Sequence, residues 1–176
     1  MNDGLVDALR HNMWATRELL TTCRELSDDQ LRATAVGTYG SIIDTLWHIT
    51  ASEAGYCARL TGEPFAWHQR TEAPPSVDQL MSYVDDLDAR WEQFLTVPFD
   101  AEQTVIVSWD DGKDRDVPRG VFLAQAIHHG SEHRAQVATI LTMIGVEPPE
   151  WGVWDYAEAT GRARQRGTFS APQRKS

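Results

Sequence analysis

The chain of 176 residues has the size of one ordinary domain and can bury a core without disulfides or a structural metal, so an ion bound here would serve function more than folding. Hydrophobic residues make up 41% and charged residues 24%, and no apolar run approaches the roughly 18 to 20 residues of a bilayer-spanning helix, so no membrane partner is expected. The net charge is −10, and residues 1–161 carry 11 basic against 26 acidic groups, a surplus that repels a phosphate backbone and argues against nucleic acid as a partner.

The N-terminus, Met1-Asn-Asp-Gly-Leu5, has neither the basic stretch nor the apolar run of a secretory signal, so a cytoplasmic location is expected. From Leu5 to Leu26 apolar positions recur every three or four residues, the period of one helical face. Ser27 to Gln30 has the spacing of a capping box over a short turn, and a loop with Gly37 and Gly40 follows. A second long helix is predicted from about Ser41 to Thr61, with Gly62 placed to stop it. The Pro-rich segment from Glu63 to Pro75 reads as a loop.

Ser76 and Gln79 repeat the capping-box spacing, and Val77, Leu80, Val84, Leu87, Trp91 and Phe94 form the stripe of a third helix. Thr104 to Trp109, a turn at Asp110-Asp111-Gly112-Lys113 and a return to Val117 predict a small β-hairpin. Pro118 suits the first turn of a fourth helix reaching about Ile144, and a last short helix covers Val153 to Thr160. The fold class is therefore all-α: a four-helix bundle over residues 1–161, with the hairpin inserted before helix four, and a basic tail over 162–176 expected to be disordered. Cys23 and Cys57 lie in apolar helical patterns and read as reduced, buried thiols.

The fourth helix carries the sharpest chemical signal. Its stripe reads Phe122, Ala126, His129, His133, Val137, Ile140, Ile144, so two imidazoles one turn apart occupy core-facing positions. At i and i+4 both can point at one ion, with Gly130 leaving room beside them; two hydrogen-bonded core histidines would give the same pattern. His48 is the best third ligand, because Thr45, Ala51, Ser52 and Gly55 around it are small. It nevertheless lies off the stripe of Ile42, Leu46, Ile49 and Leu60, so a solvated face explains it equally well. His128 lies off the stripe and reads as a surface residue or a support for the site, and His11 and His68 read as surface residues. Gly130 stands where an HExxH helix has its glutamate, and Glu132 points off the stripe, so a zinc-peptidase mechanism lacks its base.

Four segments together carry a resemblance: His11-Asn-Met-Trp-Ala15 in helix one, Gly40-Ser-Ile-Ile-Asp-Thr-Leu-Trp-His48-Ile49 in helix two, His129-Gly-Ser-Glu-His133-Arg-Ala-Gln136 in helix four, and Pro148-Pro149 followed by Trp154-Asp-Tyr-Ala-Glu-Ala-Thr-Gly161. In their order and spacing the chain resembles, end to end, the DinB/YfiT-like family of metal-dependent enzymes, which includes thiol-dependent S-transferases and mycothiol-dependent maleylpyruvate isomerase. The resemblance implies that His48, His129 and His133 are the metal ligands. It also implies a bundle with a long crossover, a homodimer, and zinc or nickel as the metal. Ala135 departs from the Gly usual in the family at that position, a change that touches packing more than chemistry.

Three neutral imidazoles would leave an ion with positive charge and an open position, the arrangement of catalytic rather than structural sites. A low-molecular-weight thiol such as mycothiol would be held there as the thiolate, ready to attack an electrophile; thiol S-transfer or thiol-dependent isomerisation is the leading reading. A metal-hydroxide hydrolase at the same site and a non-catalytic, stress-associated metal-binding protein are the alternatives, because no general base is identifiable. Arg134 is a candidate anchor for the cofactor or substrate, or else a surface or ion-pair residue. Asp44, one turn before His48, reads as a partner of the helix dipole before it reads as a support for the site.

Overall fold

The computed structural model describes residues 3–68, 74–108 and 111–164. Six helices and one hairpin follow in the order α1 (Asp3–Cys23), α2 (Asp28–Leu31), α3 (Ile42–Thr61), α4 (Val77–Leu95), β1 (Thr104–Ser108), β2 (Asp114–Pro118), α5 (Arg119–Met143) and α6 (Val153–Ala159). Their boundaries follow from local chemistry. The Ser27 and Ser76 hydroxyls accept from the backbone N–H of Gln30 and Gln79, whose side chains accept in return from the serine N–H. Ser41 caps α3 through Asp44, and Gly62 ends it at φ 79, a left-handed conformation that costs glycine little.

The long helices α1, α3, α4 and α5 form the bundle. An ion-pair ladder joins Arg10 to Glu92, Arg17 to Asp85 and Asp88, and Arg24 to Asp78, so α1 and α4 run antiparallel. Trp47 meets Tyr83 and Glu53 meets Trp91, so α3 and α4 run parallel. The end of α3 and the start of α4 therefore lie at opposite ends of the bundle, the arrangement of the long crossover that the sequence resemblance implied. α3 runs antiparallel to α5: Tyr39, just before α3, bonds to Gln136, and Leu60 at its far end bonds to Arg119.

The hairpin pairs Thr104 with Pro118 and Ser108 with Asp114. Pro118 thus closes β2 and caps α5 instead of lying inside the helix as expected. Trp109, predicted to end the first strand, Asp110 of the predicted turn, and the tail from residue 165 onward lie outside the described residues. Among the described residues no helix is long and apolar enough to cross a membrane.

Two apolar clusters fill the bundle. One gathers Leu9, Cys57, Leu60, Leu87, Trp91, Phe94 and Leu123 toward the hairpin end; the other gathers Leu19, Leu20, Ile42, Leu46, Leu80, Ile140 and Leu141 at the opposite end. Between them lie buried polar side chains: Asn12, Thr16, Glu53 and Arg134. Cys23 and Cys57 are free and buried, and burial pushes both thiols up to about 12. Neither is a nucleophile near neutral pH.

Candidate metal centre

The facing sides of α3 and α5 bring His48, His129 and His133 together, with one ligand atom of each within 4.8 Å of the others. The Nε2 atoms of His48 and His129 are 2.9 Å apart, and the three ring centroids are separated by 4.4 to 4.7 Å. Three nitrogens on a tetrahedral ion at 2.0 to 2.1 Å would stand about 3.4 Å from each other. The 2.9 Å spacing of His48 and His129 and the 4.8 Å limit on the whole set enclose that value, so modest side-chain rotations fit the set to one ion. No Cys, Asp or Glu completes this group among the described residues, which makes it a three-imidazole set.

Electrostatics keep the lone pairs available. Burial, then the neighbouring His133 and His48, push the His129 imidazolium down to about 4. Burial followed by His133 lowers His48 as well. Both rings are therefore neutral near pH 7, the form that binds a cation. The Gln136 Oε1 accepts from the Tyr39 backbone N–H at 2.9 Å and stands 3.1 Å from His133 Nδ1. An Nδ1–H donated to that oxygen leaves Nε2 as the lone-pair atom. The Tyr39 ring stacks on His48 with centroids 3.9 Å apart, and Tyr56 meets His129 edge to face at 5.8 Å. Tyr39 is 56% exposed and His48 and His129 are half-buried, so the centre faces the rim of the bundle and not its middle.

The buried stripe of α5 is rotated slightly from the one expected. It runs through Phe122, Leu123, Ala126, Gly130, His133, Arg134, Val137, Ile140 and Leu141, which leaves His129 at its edge. Arg134, expected as an anchor for a ligand or else as a surface or ion-pair residue, is 1% exposed and interacts electrostatically with the buried Glu53, in keeping with the ion-pair alternative. Its guanidinium donates to Asn12 Oδ1 at 2.9 Å, Thr16 Oγ1 at 3.0 Å and Ser131 Oγ at 3.2 Å, on the side of α5 turned toward α1. These bonds leave it no approach to a small molecule.

Asn12 in turn donates to Glu53 Oε1 at 3.0 Å, and Trp91 Nε1 donates to the same oxygen at 3.1 Å. Desolvation pushes the Glu53 carboxyl up to about 7 even though Arg134 pulls it down, and the same burial lowers Arg134 to about 10. Asn12 thus bridges a buried guanidinium and a buried carboxyl, each of which would be costly without a hydrogen-bond partner. Gly130 serves this layer and not the metal: a Cβ there would stand 2.5 Å from Asn12 Oδ1 and 2.7 Å from Arg134 Nη1.

Sequence reasoning missed Glu53 and Asn12 as partners. The signal was present, since Glu53 lies at i+7 from Leu46 and i+4 from Ile49, an acid on a core stripe that required a buried donor. His11 is half-buried, contrary to expectation, and its Nε2–H donates to the Trp151 carbonyl at 2.7 Å beside Tyr156. His128 and His68 are exposed as expected, and Glu132 is exposed within 3.8 Å of His128. Asp44 is exposed in the first turn of α3, hydrogen-bonded with the capping Ser41.

Fold and site together define a helical-bundle protein with a three-histidine candidate metal centre between two of its helices. The DinB family model matches residues 1–168, and the chain belongs to the DinB family. The crystal structure of a DinB-like protein from Bacillus cereus superposes with a TM-score of 0.66 at 18% identity, covering 84% of this chain and 95% of that one. That likeness concerns the fold. No curated protein matches the sequence.

Proposed function

We propose that this protein is a metal-dependent enzyme that transfers, or isomerises with the help of, a low-molecular-weight thiol such as mycothiol. The observation that carries this reading is the convergence of three imidazoles, those of His48 and His129 held neutral, at a partly open rim, with no fourth protein ligand among the described residues. The residues fit zinc or nickel, since imidazole suits both. A divalent ion in such a set supplies a positive charge that lowers the pKa of a thiol or water it coordinates.

The chain's own groups do the rest. His48, His129 and His133 would hold the ion without cancelling its charge, and Gln136 orients His133. Tyr39 covers one face of His48, which confines access to the other sides of the cluster. With both cysteines buried and protonated, the reacting sulfur has to come from the small molecule.

The test is consumption of an electrophile such as 1-chloro-2,4-dinitrobenzene by the metal-loaded protein, with and without mycothiol, glutathione or cysteine. Turnover requiring both a thiol and the metal is expected. Turnover without thiol would move the reading to hydrolysis, and inactivity with every thiol at full metal loading would overturn it.

A further inference from the structure

One helical turn along the α3–α5 groove from the candidate metal centre, the hairpin stands off the bundle and leaves a cavity of about 410 Å³. Its walls are Tyr56 of α3, Val107 and Val117 of the hairpin, and Val121, Phe122 and Gln125 of α5. None of the six is charged, in a chain of net charge −10. The hairpin alternates so that Val105, Val107 and Val117 turn inward while Ile106, 69% exposed, turns out; its inner face serves as a wall. The size falls in the range of small-molecule sites, and the polar groups on offer are neutral, the Tyr56 hydroxyl and the Gln125 amide.

The cavity adjoins the histidines through Tyr56. The Tyr56 ring meets Phe122 at 6.3 Å and His129 at 5.8 Å, both edge to face, so one side chain borders both spaces. Gln125 precedes His129 by four residues, about 6 Å along the helix axis. A molecule with its reactive head at the histidines would extend its next few atoms into this space.

We propose that this cavity binds an uncharged, apolar group, of the size of a substituted phenyl ring, belonging to the molecule whose reactive head sits at the three histidines. The inference names a substrate class for the metal-site reading and rests on it for the position of the head. The apolar lining favours such a group and disfavours a charged one, whose desolvation no side chain in the cavity offsets.

The experiment uses the full chain in two arms. In the first, cobalt-loaded protein is titrated with phenylmethanethiol and with 2-mercaptoethanol, following the cobalt absorption. Phenylmethanethiol is expected to bind about tenfold tighter or better. Val121→Asp and Val117→Asp should erase that advantage while leaving metal content and 2-mercaptoethanol affinity unchanged; Ile106→Asp, on the outer face of the same hairpin, should preserve it. In the second arm, benzyl alcohol is added to metal-free protein and the valine methyl resonances are followed. Shifts at Val107, Val117 and Val121 are expected. If neither thiol perturbs the cobalt spectrum, the metal-site reading fails and the benzyl alcohol arm alone decides the cavity. Equal affinities for the two thiols, an advantage that survives Val121→Asp, or methyl groups unmoved by benzyl alcohol would overturn the proposal.

Discussion

The two sides of α5 solve opposite problems with adjacent residues. On one side His129 and His133 present imidazoles toward α3 at a partly open rim. On the other, Gly130 and Arg134 close against α1, with the guanidinium sunk into a hydrogen-bonded layer shared with Asn12, Thr16 and, through Asn12, Glu53. The first side keeps acceptor nitrogens free, whereas the second is almost fully hydrogen-bonded: among the described residues the Arg134 Nε–H donor is the sole buried side-chain polar group without a partner. A run of polar residues on one helix can therefore divide, within a single turn, into a binding face and a structural one. Mutations should separate the two.

The largest effect on folding is expected at the closed face. Arg134→Ala removes the counter-charge of a buried carboxyl and should cost about 3 to 5 kcal/mol, whereas His129→Ala should cost about 1 kcal/mol or less. Thermal or urea unfolding measures both. Pairing Arg134→Met with Glu53→Leu should recover most of the loss, because an apolar pair needs no desolvated charge.

Next comes the pH dependence of that layer. The Glu53 carboxyl is raised from 4.5 to about 7 in the folded chain, so the folded state binds its proton more tightly than the unfolded one. Its contribution is complete below about pH 4.5 and is lost as pH rises through about 7, a change on the order of 3 kcal/mol. Glu53→Gln should flatten this part of the stability curve. Parallel curves for wild type and variant would show that Glu53 stays ionised throughout.

The smaller effect belongs to the open face. Gln136→Leu removes the oxygen that faces His133 Nδ1 and should weaken metal binding by about 10- to 100-fold with little change in stability. Competition with a chelating dye reads that difference. An unchanged affinity would mean that the tautomer of His133 is set by something else.

The same contrast explains what could be read in advance. Helix positions, both serine capping boxes, the Gly62 stop and the hairpin were legible because each depends on neighbours a few residues away. The facing of His129 and His133 follows from i, i+4 spacing on one helix. His48 comes from another helix, 81 residues earlier, and its approach depends on how α3 rotates against α5. Periodicity cannot supply that angle, and the family resemblance did. The polar layer was hidden for a related reason: Asn12, Glu53 and Arg134 become a unit through contacts 41 and 122 residues apart. Gly130 was assigned to the wrong neighbour because a glycine advertises space without saying who fills it.

The central claim is that the three histidines form one ion site. Its most direct test is the metal content and cobalt or zinc affinity of the purified protein beside His48→Ala, His129→Ala and His133→Ala, with His128→Ala as the exposed control. One bound ion per chain in wild type and His128→Ala, with most of it lost in each of the other three, is the predicted result. Equal metal in wild type and all four variants would contradict it.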